Sequence, residues 1–316
     1  MITIGLDVGG TKVLGVAVDS AAPASPLAEE RVPTPDGGAG LVDALVGLAD
    51  RLAARCSEHG PVTAMGVGVP GLVDRSGMLH LGPHLRHIAD LPLSAAMTER
   101  TGVPVPVDND ANCHALAELR AGAAQGVEEA LVVTLGTGIG AGVVTGGQVL
   151  HGMNGFAGEP GHMIVNPNGP PCPCGQRGCW ERFASGTGLA RLAREAAEAG
   201  RLEAVTAASG GDPDMVRGEH VTSAAAVGDA EAKTVLDEFA WWIGLGLANL
   251  TNVLDPSTIV LGGGLVDAAD LVLPGVRRHF AALVMAGTER RLPEMVPAQL
   301  GERAGAIGAA LLVTAS

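Results

Sequence analysis

Apolar runs rich in β-branched residues recur along the chain, each bounded by glycine, proline or aspartate: Ile2–Leu6, Val13–Val18, Ala64–Val69, Val103–Val107, Leu131–Leu135, Gly142–Val144 and Thr258–Leu261. Short continuous runs with such borders predict buried strands. Between them the apolar positions switch to helical spacing over Gly40–Ser57, Ala111–Gly122 and Glu231–Leu250, and a further helical pattern covers Ala304–Val313. Strands alternating with helices predict an α/β fold in which helices cover a sheet.

Two stretches share one layout. In IGLDVGGTKVLGVAVD (Ile4–Asp19) and VTLGTGIGAGVVTGGQ (Val133–Gln148), an apolar strand meets a Gly/Thr turn and a second apolar strand follows. The copies lie too far apart for a solenoid repeat, so they read as the opening hairpins of two related domains. A chance likeness of two glycine-rich hairpins is the competing reading. The length of 316 residues leaves room for two domains at about 150 residues each.

Charge narrows the partners. The chain carries 20 Lys+Arg against 34 Asp+Glu, a net charge of −14, and only Lys12 and Lys233 are lysines. A phosphate-backbone binder needs clustered positive charge, so nucleic acid is a poor partner. No apolar run approaches the roughly 20 residues of a membrane helix, and MITIGLDVGG has no basic leader region. These features predict a soluble cytoplasmic protein with no membrane partner.

Glycine, at 47 residues about twice its ordinary share, gathers at strand ends. A Gly/Thr turn presents backbone N–H groups with no Cβ in the way, so a polyphosphate can come close. Asp7, Gly9, Gly10, Thr11 and Lys12 form one such turn, with a carboxylate able to hold Mg²⁺; Gly136, Thr137, Gly138 and Gly140 form a second, uncharged one. Either alone reads equally as an ordinary tight hairpin. No G-x-x-x-x-G-K-[ST] is present, which excludes a Walker-type NTPase. Gly66, Gly68 and Gly71 spell G-x-G-x-x-G, but Pro70 lies inside it and no helix pattern follows, against a dinucleotide site.

The sharpest signal is Cys172-Pro-Cys174-Gly-Gln-Arg-Gly-Cys179 with His162 upstream. Three thiolates and one imidazole complete a tetrahedral Zn²⁺ shell, and Gly175 and Gly178 permit the bends that bring the sulfurs together. A full four-ligand shell has no open position for water, so the metal reads as structural. Cys56 and Cys113 read as small buried hydrophobes.

These motifs carry a resemblance. LGTGIGAGVVTGGQVLHGMNGFAGEPGH (Leu135–His162) and CPCGQRGCWE (Cys172–Glu181), with DVGGTK (Asp7–Lys12), DNDAN (Asp108–Asn112) and DPSTIVLGGG (Asp255–Gly264), resemble the ROK family of sugar kinases and repressors in the expected order. Within it the sequence most resembles the actinobacterial ATP-dependent glucokinases. The resemblance implies two ribonuclease-H-like domains of the actin-like ATPase type with ligands in the cleft: a small α/β domain over residues 1–109 plus about 303–316, and a large one over 110–302 holding the zinc motif. It implies that the cleft closes on its ligands and that Ala304–Val313 packs on the first domain.

By the same resemblance Asp110 corresponds to the catalytic base; taken alone it reads as well as an exposed N-cap aspartate before the helix at Ala111. Asn109, Glu159, His162, Glu181 and Gly71 correspond to sugar contacts, although Glu159 and Glu181 could each be a solvated loop acid. His162 would use one ring nitrogen on zinc and the other on the sugar. Gly262, Gly263 and Gly264 correspond to nucleotide-site glycines, and Ser185–Gly188 to the helix start that approaches adenine. The implied reaction is phosphorylation of glucose to glucose 6-phosphate by MgATP, in a homodimer or homotetramer. N-acetylmannosamine, fructose or allose kinases and polyphosphate-using relatives share most of these motifs. The family's repressors form the alternative of another class; they carry a helix-turn-helix ahead of this module, and this sequence starts at the first strand.

Overall fold

A computed structural model describes residues 1–82, 85, 87–264 and 268–314. Its strands are β1 (Ile2–Val8), β2 (Lys12–Asp19), β3 (Ala28–Pro33), β4 (Val62–Val69), β5 (Leu72–Val73), β6 (Leu79–Leu81), β7 (Ala89–Leu91), β8 (Val107–Asn109), β9 (Ala130–Leu135), β10 (Ile139–Thr145), β11 (Gln148–Val149), β12 (Thr258–Gly262) and β13 (Glu294–Pro297). The helices are α1 (Gly38–Arg55), α2 (Leu93–Thr101), α3 (Asp110–Ala121), α4 (Glu181–Ala184), α5 (Gly186–Glu198), α6 (Glu203–Ala208), α7 (Gly218–Ala226), α8 (Ala230–Leu254), α9 (Ala269–Leu283) and α10 (Ala304–Leu311). The chain divides into two compact units: residues 1–132, 141–158 and 296–316 form the first, and residues 133–140 and 159–295 the second.

In the first unit a five-stranded sheet runs β3-β2-β1-β4-β8. β1 pairs antiparallel with β2 from Ile2↔Asp19 to Val8↔Val13 and parallel with β4, and β4 runs parallel to β8. Central strands are covered on both faces, which is why β1 and β4 are almost continuously apolar. On α1, Leu41, Leu45, Leu48 and Leu52 are fully buried at helical spacing and form one core with Ile4, Leu6 and Val67. β2 gives way to this helix at Gly15, where a Cβ would lie 2.7 Å from Leu52 Cδ1.

α10 packs on α3, β1 and β4, and all eight of its residues, AGAIGAAL, are buried. Small side chains let its backbone come very close: a Cβ on Gly5 would lie 1.8 Å from the Ala306 carbonyl oxygen, and one on Gly66 2.1 Å from that of Ala309. Beneath it Glu118, only 1% exposed, is satisfied by the backbone N–H groups of Ala123 at 2.7 Å and of Gln299 and Leu300 at 3.0 and 2.9 Å. The polypeptide that leads into α10 is thereby pinned to α3. Cys56 and Cys113 are buried, as their apolar surroundings predict.

A second five-stranded sheet runs β11-β10-β9-β12-β13. Its first three strands, like β3-β2-β1, are a hairpin and its continuation in reverse order, so the two sheets repeat one plan. This is the duplication that the Ile4–Asp19 and Val133–Gln148 segments predict. Among the described residues no helix is long and apolar enough to cross a membrane.

The expected strand over Val103–Val107 is displaced to Val107–Asn109. Pro104 and Pro106 have no N–H to give a ladder, and Pro106 contributes only its carbonyl, which accepts from Val67 N–H at 3.0 Å. The shift places Asn109 at the strand's end and Asp110 at the start of α3. The three-stranded sheet β5-β6-β7 and the helices α2, α5, α6, α7 and α9 lie outside the elements read from apolar periodicity.

Candidate active site and metal centre

In the first unit Asp7 lies one residue before the end of β1, opposite Leu14 and Gly68, and the turn beyond the strand closes through Gly9 N–H to the Lys12 carbonyl at 2.9 Å. Thr34 Oγ1 donates to the Gly9 carbonyl at 2.7 Å, which fixes the turn while Gly10, Thr11 and Lys12 stay exposed. Lys12 Nζ lies 3.3 Å from Glu302 on the surface. Asp7 is partly buried, and this desolvation pushes its pKa up to about 6 despite the lowering influence of His114; the Asp110 charge adds to the rise and Lys12 opposes it. Asp7 and Asp110 are therefore electrostatic neighbours, 103 positions apart in sequence.

Asn109, not Asp110, caps α3: its Oδ1 accepts from the N–H groups of Ala111 and Asn112 at 2.8 and 3.2 Å. The N-cap reading of Asp110 is thus corrected. Asp110 is the first helical residue, its carboxylate at the positive end of the helix, with Oδ1 2.9 Å from Ala111 N–H. Asn109 Nδ2 donates to the Gly71 carbonyl at 3.0 Å. Gly71 has φ +117°, and a Cβ there would sit 1.9 Å from the Leu81 carbonyl oxygen, so only glycine fits. Gly71 is thus hydrogen-bonded to Asn109, and Asn109 and Asp110 share the Ala111 N–H.

In the second unit the Gly136–Thr137–Gly138 turn closes through Gly136 N–H to the Gly138 carbonyl at 3.0 Å. The start of α5 buttresses it: Gly186 N–H donates to the Gly136 carbonyl at 2.8 Å and Thr187 Oγ1 to that of Thr137 at 2.9 Å. Gly262 ends β12 and Gly263 turns with φ +86°. A Cβ on Gly263 would lie 2.5 Å from the Leu135 carbonyl oxygen, so the two glycine segments touch through backbone alone. Gly136, Thr137, Gly186, Thr187 and Gly264 line one cavity of about 730 Å³. It is lined further by Arg217 at the α7 cap, by Gly218, Glu219 and Thr222 on α7 and by Leu189 on α5. No spacing rule announces those α7 residues, and the sequence reading missed them.

His162, Cys172, Cys174 and Cys179 converge, their ligand atoms all within 4.8 Å of one another. Cys172 Sγ is 3.8 Å from His162 Nδ1 and Cys174 Sγ is 3.6 Å from Cys179 Sγ, the spacing of ligands sharing one tetrahedral ion. Gly175 and Gly178 take φ +91° and +69°; a Cβ on Gly178 would stand 1.5 Å from the Asn166 carbonyl oxygen. The donor set and its geometry fit zinc. Burial, with the Glu181 carboxylate 3.1 Å from its Sγ, pushes the Cys172 thiol well above its ordinary range. With Nδ1 facing Cys172, the outer nitrogen Nε2 lies 4.0 Å from Glu159 Oε2, while Glu181 Oε1 lies 3.9 Å from Nδ1. The structure thus gathers Glu159 and Glu181 around the His162 imidazole. Glu181 Oε2 reaches towards the glycine turn too: a Cβ on Gly138 would be 2.8 Å from it.

Residues 3–316 match the ROK family. The chain is a member of the ROK family. It is 38% identical over 312 residues to a glucokinase of Streptomyces coelicolor, covering 98% of this chain and 96% of that one. A glucokinase of Halalkalibacterium halodurans is also 38% identical, with 98% and 94% covered. Among solved structures, a ROK family glucokinase from Streptomyces griseus in complex with glucose and AMPPNP superposes with a TM-score of 0.85 at 38% identity, covering 99% of both chains. The α/β fold of this ROK protein is accordingly the actin-like two-domain fold of those kinases.

Proposed function

We propose that this chain transfers the terminal phosphoryl group of MgATP to the 6-hydroxyl of glucose. The reading rests on the gathering of Glu159 and Glu181 about the His162 imidazole beside three cysteines, a polar bed suited to the paired hydroxyls of a hexose. The glucokinase relatives support it. Carboxylates and amides reject a wrong epimer by being left unpaired. Asp110 orients the 6-hydroxyl and takes its proton as the oxygen attacks the γ-phosphorus and the bond to ADP breaks. Asn109 and Gly71 hold the sugar beside it.

Asp7, Gly9–Lys12 and Gly136–Gly138 would hold the phosphate tail, with Mg²⁺ supplying charge neutralisation when bound. The 730 Å³ cavity at Gly264, Thr187 and α7 has the size of a cofactor site and takes the nucleoside. Zinc on His162, Cys172, Cys174 and Cys179 would fix the tautomer and aim of the imidazole; a closed four-ligand shell supplies no reacting water. The expected working form is a cytoplasmic homo-oligomer.

An ADP-release assay over glucose, fructose, allose and N-acetylmannosamine, with ATP or polyphosphate as donor, tests the reading. Glucose with ATP should give the highest kcat/KM. Absence of ADP release with every hexose would favour a sugar-sensing repressor instead, and a preference for polyphosphate would change the donor.

The raised pKa of Asp7 gives a second prediction. In the unfolded chain its carboxyl titrates at the ordinary 3.8 and in the fold at about 6, so the fold prefers the protonated form. That stabilisation is complete below pH 4 and is lost as pH rises through 6. The shift corresponds to at most about 3 kcal/mol, and partial exposure reduces the expected effect to about 1–2 kcal/mol. Asp7→Asn should therefore resist urea better than wild type at pH 8, with little difference at pH 4. Equal midpoints at pH 8 would count against a desolvated carboxylate at this position.

A further inference from the structure

Another carboxylate close to the start of α3 is buried. Asp108, one residue before the α3 cap and 8% exposed, uses both oxygens. Oδ1 accepts from Asn109 N–H at 2.7 Å and from Asn112 Nδ2 at 3.0 Å. Oδ2 faces His151 Nε2 at 2.7 Å. His151 follows β11 at the start of the loop that leads to Glu159, and its carbonyl accepts from Ala157 N–H at 3.2 Å. That loop runs against the same helix start: a Cβ on Gly158 would be 3.5 Å from Asn112 Oδ1, a buried oxygen with no hydrogen-bond partner.

These contacts form a chain. His151 fixes Asp108, Asp108 fixes the backbone of Asn109 and the side chain of Asn112, and Asn109 caps the helix whose first residue is Asp110. We infer that His151 is a positioning residue for phosphoryl transfer, holding through Asp108 the end of α3 that carries Asp110. The inference rests on the proposed kinase reading for its consequence in catalysis. His151 acts through Asp108 on the backbone of Asn109 and on the start of α3 that carries Asp110, so its effect belongs chiefly in kcat, with a smaller one on KM through Asn109. Its pKa supports the pairing: the hydrogen bond to Asp108 raises it, against burial and the nearby Arg75 charge. Arg75 is itself held by the Gly152 carbonyl at 2.5 Å, so it stays beside the imidazole.

Three variants test it. His151→Phe removes the donor at a partly exposed position and should lower kcat about tenfold to a hundredfold, the range found when an orienting partner is lost, with KM for glucose and ATP within about twofold. His151→Gln retains an N–H donor at similar reach and should recover kcat to within about threefold of wild type. In NMR titrations the His151 ring should titrate above an ordinary imidazole in wild type and return to the ordinary range in Asp108→Asn. Equal losses in the Phe and Gln variants, a loss confined to KM, or unchanged kcat in His151→Phe would overturn the inference. A wild-type protein inactive on every sugar would instead remove the kinase reading, while the NMR titration would still report whether the pair exists.

Discussion

Asp110→Asn should lower kcat for glucose phosphorylation by about 10²–10⁴-fold, the span contributed by a positioned general base, and should leave the fold intact. The two halves of this expectation come from different atoms. Helix α3 is capped by Asn109, whose Oδ1 holds the N–H groups of Ala111 and Asn112, so exchanging the next side chain leaves the cap in place. What the helix loses is one negative charge at its N-terminus, worth about 0.3–1 kcal/mol. Part of that returns, because the Asp110 charge contributes to the strained ionisation of Asp7 and its removal lets Asp7 ionise more easily. Asparagine keeps the shape and can still hydrogen-bond a hydroxyl, so KM for glucose should move less than about fivefold. Steady-state kinetics beside a urea melt check both halves. A variant retaining more than a tenth of wild-type kcat would remove Asp110 from its assigned role, and one that fails to fold would show that the carboxylate serves α3 itself.

How much of this site could be read from the sequence depends on how local each signal is. The His/Cys donor set is legible because three of its four residues fall within Cys172–Cys179, and glycines at positions 175 and 178 announce the bends that close it. The glycine turns are legible for the same reason, and their repetition foretold the repeated sheet plan. Asn109 as the cap was hidden by its neighbour: Asn-Asp offers two good capping residues in a row, and only the end of β8, moved by Pro104 and Pro106, decides between them. Residues brought together by tertiary folding left no trace. Arg217 at the α7 cap and Glu219 and Thr222 on α7 line the same cavity as the Gly136 turn some eighty positions later, and the helix has an unremarkable apolar pattern. The Asp108–His151 pair is separated by 43 residues, and neither belongs to a recurring spacing. Its existence follows from where β8 ends and where β11 turns, which periodicity alone does not supply.

Cys174→Ala separates the metal from packing better than either neighbouring cysteine. Cys172 and Cys179 are buried, so replacing them creates a cavity whether or not an ion is lost, whereas Cys174 is exposed and its loss removes a ligand and little else. Between Met163 and Trp180 there is no helix or strand among the described residues; turns and backbone hydrogen bonds such as Val165 N–H to the Gly178 carbonyl at 2.9 Å and Trp180 N–H to that of Met163 at 2.8 Å hold the segment, with isolated bridges at Ile164↔Cys179 and Pro171↔Arg177. Such a segment has no regular secondary structure to hold it, and structural zinc in comparable small sites contributes on the order of 10 kcal/mol to folding. The variant should therefore bind less than about a tenth of the zinc held by wild type, where one ion per chain is expected, and Pro171–Arg177 should become open to proteolysis. Activity should follow the metal. Without the ion, Nδ1 of His162 loses its anchor, and the ring that stands between Glu159 and Glu181 is free to turn; a loss of about 10–100-fold in kcat/KM for glucose is the expected size for an unanchored ligand-orienting group. The first unit contains none of the four ligands, so the urea resistance of its core, followed by hydrogen exchange in β1 and β4, should be unchanged. Full activity in zinc-free protein would detach the sugar bed from the metal, leaving the cysteines a purely local staple.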